Sequence, residues 1–122
     1  MKKKALIVDD DQSMLYILTA LLEGEGFEVI SVPSAGEAIE KIQRDQFDLI
    51  VTDVLMPGRV GVRSLFQYLE TLPRKIPTIV ISAYWDENPE MRAFYEAKTA
   101  ACVSKPFDLE DFRNLVFGIC GK

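Results

Sequence analysis

Asp9, Asp10 and Asp11 stand in a row at the end of the apolar run Leu6-Ile7-Val8, and Asp53 closes a second such run, FDLIVTD, residues Phe47 to Asp53. Ser82 ends a third run, IPTIVIS, and Lys105 follows a fourth, Ala101 to Ser104. Carboxylates that leave neighbouring strands at one edge repel one another, and such an all-oxygen set favours a hard cation, magnesium or manganese. Magnesium keeps water and coordinates phosphate, so the set suits phosphoryl transfer. Lys105 would neutralise phosphoryl oxygens and the Ser82 hydroxyl would hydrogen-bond another. The chain contains no histidine, which removes the commonest general base, the commonest zinc ligand and every Ser-His or Cys-His pair. The nucleophile left is a carboxylate forming an acyl phosphate, and Asp53, central and followed by a turn-rich segment, is the natural choice. Taken singly, each residue has a plainer reading: solvated loop acids, an Asx turn, a capping hydroxyl, a surface lysine. The conjunction carries the chemistry. Asp11 differs from its neighbours, being placed as the cap or first-turn acid of a helix beginning near Gln12.

The elements that must position these residues alternate five times between β-rich and helical segments. Lys4–Asp9 reads as a strand, and Met14, Leu15, Leu18, Leu21 and Leu22 mark a helix over Ser13–Glu25 that Gly26 ends. FEVISV, Phe27–Val32, is β-rich, and Ser34 with Glu37 forms a capping box before Ala38, Ile39 and Ile42. Val62, Leu65, Phe66 and Leu69 mark a third helix after the MPGRVG loop. Asn88 and Pro89 open a fourth with Met91, Phe94 and Tyr95 inward, and Leu109, Phe112, Val116 and Ile119 stripe the fifth. Strands apolar on both faces and alternating with helices predict a doubly wound five-stranded parallel sheet in a three-layer α/β sandwich. Ligands of such sheets bind beyond the carboxyl ends of the strands, where Asp9, Asp10, Asp53, Ser82 and Lys105 would meet.

Composition narrows the alternatives. The 122 residues suffice for one domain, residues 1–122, with one core. Lys and Arg number 14 against 19 Asp and Glu, a formal charge of −5, which argues against direct nucleic-acid binding or an anionic-membrane surface. The MKKK start has no apolar stretch of signal-peptide kind behind it, and no segment approaches a membrane span. Cys102 and Cys120 form neither a CxxC pair nor a framework, and read as reduced thiols of a cytoplasmic protein.

VDDD at residues 8–11, DVLMPGRVG at 53–61, Ser82-Ala83 and KPF at 105–107 together resemble the response-regulator receiver domain of two-component signal transduction, the CheY-like fold, over essentially the whole chain. The resemblance implies that Asp9, Asp10, Asp53 and the main-chain carbonyl of Leu55 hold the metal. It implies that Asp53 takes a phosphoryl group from a phosphohistidine on a sensor histidine kinase or phosphotransfer protein. Lys105 would pair with Asp53 and then its phosphate, Ser82 would turn toward the phosphoryl group, Ala83 would leave it accessible, and Lys105–Pro106 would be cis. The domain would be a phospho-acceptor and no enzyme beyond its own phosphorylation and dephosphorylation. Its active state would reach a downstream protein or fused output domain through the fourth helix, fifth strand and fifth helix, with a homodimer as one outcome of activation.

The family usually carries Tyr or Phe three residues before the lysine, and this chain has Cys102. A thiol is small and buries readily, so the expectation is weaker or rerouted coupling from Ser82, with Tyr84, Trp85 and Tyr95 as nearby aromatics. Lys98-Thr99 stands where Gly-Ala is usual, which predicts an irregular end to the fourth helix. A haloacid-dehalogenase-type phosphatase needs a second acid where Leu55 stands. A flavin carrier's phosphate would be repelled by DDDQS, and no GxxxxGK[ST] loop occurs. The alternative that stays open is a receiver-like interaction module independent of phosphorylation.

Overall fold

The computed structural model describes residues 2–53, 62–83 and 89–121. Five strands, β1 (Lys3–Val8), β2 (Phe27–Val32), β3 (Leu49–Asp53), β4 (Thr78–Ser82) and β5 (Ala101–Ser104), alternate with α1 (Gln12–Gly24), α2 (Ala35–Arg44), α3 (Val62–Glu70), α4 (Pro89–Lys98) and α5 (Leu109–Cys120). All pairings are parallel, in the order β2-β1-β3-β4-β5. This is the doubly wound sandwich expected from the alternation. The central strands are short and carry Val and Ile on both faces, which a sheet covered by helices on both sides requires.

Two of the strands begin later than the apolar runs suggest. Phe47 is buried but precedes β3, because the Asp48 side chain accepts the Lys4 main-chain N–H at 2.8 Å where a strand carbonyl would otherwise serve. Ile76 precedes β4 because Pro77 has no N–H for the ladder, although its carbonyl accepts from Ile50 at 2.9 Å.

Helix ends follow their side chains. Asp11 is the N-cap of α1, its carboxylate accepting from Ser13 N–H at 2.9 Å. Ser34 caps α2 by accepting from Glu37 N–H at 3.2 Å, and its hydroxyl meets the Glu37 carboxylate at 3.3 Å. Asp108 caps α5 by accepting from Glu110 and Asp111 N–H. Gly26 and Gly121 hold positive φ after α1 and α5. At the end of α4, where glycine is missing, the Thr99 hydroxyl donates to the Tyr95 carbonyl at 2.7 Å. The helix end is satisfied by a side chain. Asn88, expected to cap α4, lies outside the described residues.

Ala5, Ile7, Leu49, Val51, Ile79 and Ile81 bury one sheet face against α1 and α5, including Leu18, Leu22, Phe112 and Val116. Leu6, Val8 and Ile50 bury the opposite face against α2 and α3. A third cluster of Phe66, Val80 and Tyr95 seats α4, with Met91 and Phe94 partly buried beside it, as the inward stripe predicts. Leu109 departs from the expected α5 stripe: it is the first residue of that helix and is 49% exposed. Cys102 and Cys120 are free and half-buried. Among the described residues no helix is long and apolar enough to cross a membrane.

Candidate functional site

The site lies beyond the carboxyl ends of β1, β3, β4 and β5. Asp9 follows β1 directly, donates its N–H to the Val32 carbonyl at 3.1 Å, and is only 1% exposed. Its Oδ1 accepts from Asp11 N–H at 3.0 Å, which fixes the carboxylate toward the crevice. Asp10 is exposed at the rim, and Asp53, the last residue of β3, is 9% exposed. One carboxylate oxygen from each of the three lies within 4.8 Å of the others. Strand order explains the convergence, because β1 and β3 are neighbours in the sheet.

Lys105 enters from just past β5 and supplies the positive charge. Its Nζ is 2.9 Å from Asp53 Oδ2 and 3.5 Å from Asp9 Oδ2. Burial works to lower the lysine's pKa, but the hydrogen bond and charge of Asp53, with Asp9 in support, raise it above the ordinary value, so it stays an ammonium. Asp9 is pushed up chiefly by burial. The negative charge of Asp53 acts in the same direction, against the Asp11 N–H and Lys105. A carboxylate held this way gains from any added cation. The donors are all oxygen, one of them at an open rim, which fits a hard divalent ion.

Neighbouring groups hold the charged ones in place. Lys105 N–H donates to the Ser82 carbonyl at 2.9 Å, so the lysine and the buried Ser82 are tied at the ends of adjacent strands. Asp53 pairs in register with Ile81, one residue before Ser82. Lys105–Pro106 is cis, as the resemblance implies. Phe107, next in the KPF segment, packs its ring 5.1 Å from Phe112 and fastens the loop to the core.

Asp9, Asp10, Asp53 and Lys105 are therefore brought together, with Ser82 adjacent through the backbone. The two acids after β1 are not equivalent, one being buried and the other exposed, a difference that their adjacency in sequence does not reveal. Leu55, Tyr84 and Trp85 lie outside the described residues. Cys102 stands opposite Val80 and packs into the cluster under α4, away from the acids. One hydroxyl escaped the sequence reading. Thr52, buried, donates to the Asp53 main-chain carbonyl at 2.9 Å and steadies the strand end; its signal is a lone hydroxyl in LIVTD. Thr99 ends α4, and its Oγ1 lies 3.9 Å from Cys102 Sγ.

Comparison with known proteins places the chain in a family. The chain is 34% identical over 113 residues to the response regulator receiver protein CpdR of Brucella abortus, covering 92% of each. It is 34% identical over 110 residues to the transcriptional regulatory protein ZraR of Escherichia coli, where 88% of the chain matches but spans only 24% of that longer protein. The receiver domain of the sensor histidine kinase PA1611 from Pseudomonas aeruginosa superposes with a TM-score of 0.86 at 19% identity, over 100% of each chain. In that structure a magnesium ion is coordinated in the active-site cleft. The response regulator receiver domain matches as a family over residues 5–117, and the chain belongs to that family, the receiver domains of two-component signalling.

Proposed function

We propose that Asp53 is the phospho-acceptor and that Lys105, Ser82, Asp9 and Asp10 serve that one transfer. The observation that carries this is the Lys105–Asp53 pair at 2.9 Å inside a cluster of three convergent carboxylates. In the step, an Asp53 carboxylate oxygen attacks the phosphorus of a phosphohistidine on a sensor kinase or phosphotransfer protein. The new O–P bond forms as the P–N bond breaks, and the imidazole leaves with the electron pair and takes up a proton. Asp9, Asp10, Asp53 and the Leu55 carbonyl would hold magnesium, which when bound offsets the charge on the phosphoryl oxygens. Lys105 has the reach to follow the charge from the carboxylate to the new phosphate, and Ser82 supplies a hydroxyl one residue from the register partner of Asp53. Phosphorylation would then bias the domain toward a state read by a downstream protein, an output domain or a second copy across α4, β5 and α5.

Intact mass after incubation with magnesium and acetyl phosphate tests this. A phosphate adduct that is lost in Asp53→Asn and in chelator is the expected result, and no adduct at saturating donor would sink it. The second reading, an interaction module indifferent to phosphorylation, draws on Cys102 lying where the family carries an aromatic. It predicts partner binding unchanged by Asp53→Asn.

A further inference from the structure

A cysteine at position 102 is far smaller than an aromatic, and the buried cluster on which it packs takes a ring from α4, that of Tyr95. Tyr95 is 1% exposed. Its ring stands edge-on to Phe94 at 5.0 Å and 87°, and tilts against Phe66 of α3 at 5.1 Å and 52°. Phe66, Val80 and Tyr95 form one buried cluster, with Cys102, Met91 and Leu69 packed on it. Val80 and Cys102 are register partners, and the next pair on the same sheet face is Ser82 with Ser104. The Tyr95 ring therefore rests on the face that carries Ser82, one pleat repeat away. Thr99 secures the helix around it, bonded to the Tyr95 carbonyl and lying against the Cys102 sulfur. On the outer side, the Arg63 guanidinium and Lys98 ammonium sit 4.8 and 5.3 Å from the centre of the Phe94 ring.

We infer that Tyr95 and Cys102 are a size-complementary pair, and that Tyr95, carried on α4, relays the state of Ser82 to the α4–β5 surface. A buried ring in contact with Phe66 and Phe94 and clustered with Val80 has little room to rotate, because interiors are close-packed. Movement of the β4 end at Ser82 shifts Val80, the floor under the ring. The response is then displacement of α4 as a body, in place of rotation of a β5 side chain. The relay rests on the phospho-acceptor reading of Asp53; the size pairing does not.

Two measurements separate these claims. The first compares thermal midpoints of wild type, Cys102→Phe, Tyr95→Ala and the double variant. Adding a ring to a filled site overpacks it, whereas adding one beside a cavity fills it. Cys102→Phe should lower the midpoint in the wild-type background and raise it in the Tyr95→Ala background. If Tyr95→Ala alone does not fold, recovery of a folded double variant supports the pairing. Lowering in both backgrounds, or a double variant that also fails to fold, overturns it. The second measurement follows backbone amide shifts of α4 by NMR with magnesium and acetyl phosphate, with intact mass on the same samples. Wild type and Tyr95→Phe should move the α4 amides together. Tyr95→Leu, phosphorylated to the same extent, should lose most of that shift. An undiminished shift in Tyr95→Leu overturns the relay. No adduct on wild type removes the phospho-acceptor reading and the relay with it, while the thermal comparison still decides the pairing.

Discussion

Replacing Lys105 with Met strips the acid cluster of its ammonium while keeping most of the side-chain volume. At an effective dielectric of about 20, gross attractions at the observed 2.9 and 3.5 Å are about 6 and 5 kcal/mol. Rehydration of the lysine in the unfolded chain cancels most of this, and removing one partner of a buried pair costs about 3–5 kcal/mol. The Lys105 side chain is 21% exposed and that of Asp53 11%, so solvent screening brings our expectation to about 2–4 kcal/mol. For a chain of 122 residues the unfolding entropy is about 0.26 kcal/mol/K, so the midpoint should fall by about 8–16 °C. The assay is a melt followed by circular dichroism, in EDTA and in excess magnesium. Magnesium should recover more of the loss in the variant than it adds to wild type, because a dication replaces the missing charge. Acid should act the same way. Asp9 has a raised pKa in the folded state, and losing Lys105 raises it further, so its penalty is present above that pKa and vanishes as pH falls through it. A variant melting within about 2 °C of wild type in EDTA would refute the charge argument. An equal loss with and without magnesium would refute the placement of the cation.

Asp10→Ala should leave the midpoint in EDTA unchanged or slightly higher, since an exposed repelling charge is gone, yet abolish both the magnesium-induced rise in midpoint and the phosphate adduct. Asp11→Ala removes the cap that accepts Ser13 N–H and should cost about 1 kcal/mol, about 4 °C, with phosphorylation by acetyl phosphate intact by mass. Burial raises the pKa of both Cys102 and Cys120, so less thiolate is present at a given pH. Iodoacetamide at about pH 8 should alkylate them much more slowly than it does the urea-unfolded chain, and equal rates would contradict the burial.

Much of the fold was legible because its signals are local. The apolar runs ending in Asp9, Asp53 and Ser82, the Asp11 and Ser34 caps and the helical stripes each need only a few neighbouring residues to be read. What was hidden depends on residues distant in sequence. Neither the late start of β3 nor the pairing of Lys4 with Asp45 at 2.6 Å at the opposite edge of the sheet can be read from its own segment. Leu109 fits the α5 spacing but belongs to the helix's first turn, where periodicity does not report depth. The unequal burial of Asp9 and Asp10 arises because the Asp9 N–H, just past β1, is still bonded to the Val32 carbonyl of β2, whereas the chain bends at Asp10. At Cys102 the departure from the family pattern was plain, but its counterpart was not: Tyr95 reads as one more inward residue until α4 is laid over Val80.

The edge position of β5 has a consequence for how the chain is made. Residues 9, 10 and 53 emerge during synthesis well before residue 105, so the acids can assemble on β1 and β3 while their lysine is still unmade. A sheet formed before then would carry an unbalanced anionic rim, and the last strand would arrive with the charge that relieves it. Addition of β5 is thus favoured by Coulomb attraction as well as by its short ladder to β4 and its half-buried side chains. A nascent chain stopped before Lys105 would hold the acids without their counter-charge, and the same residue that serves the finished site would also complete the sheet.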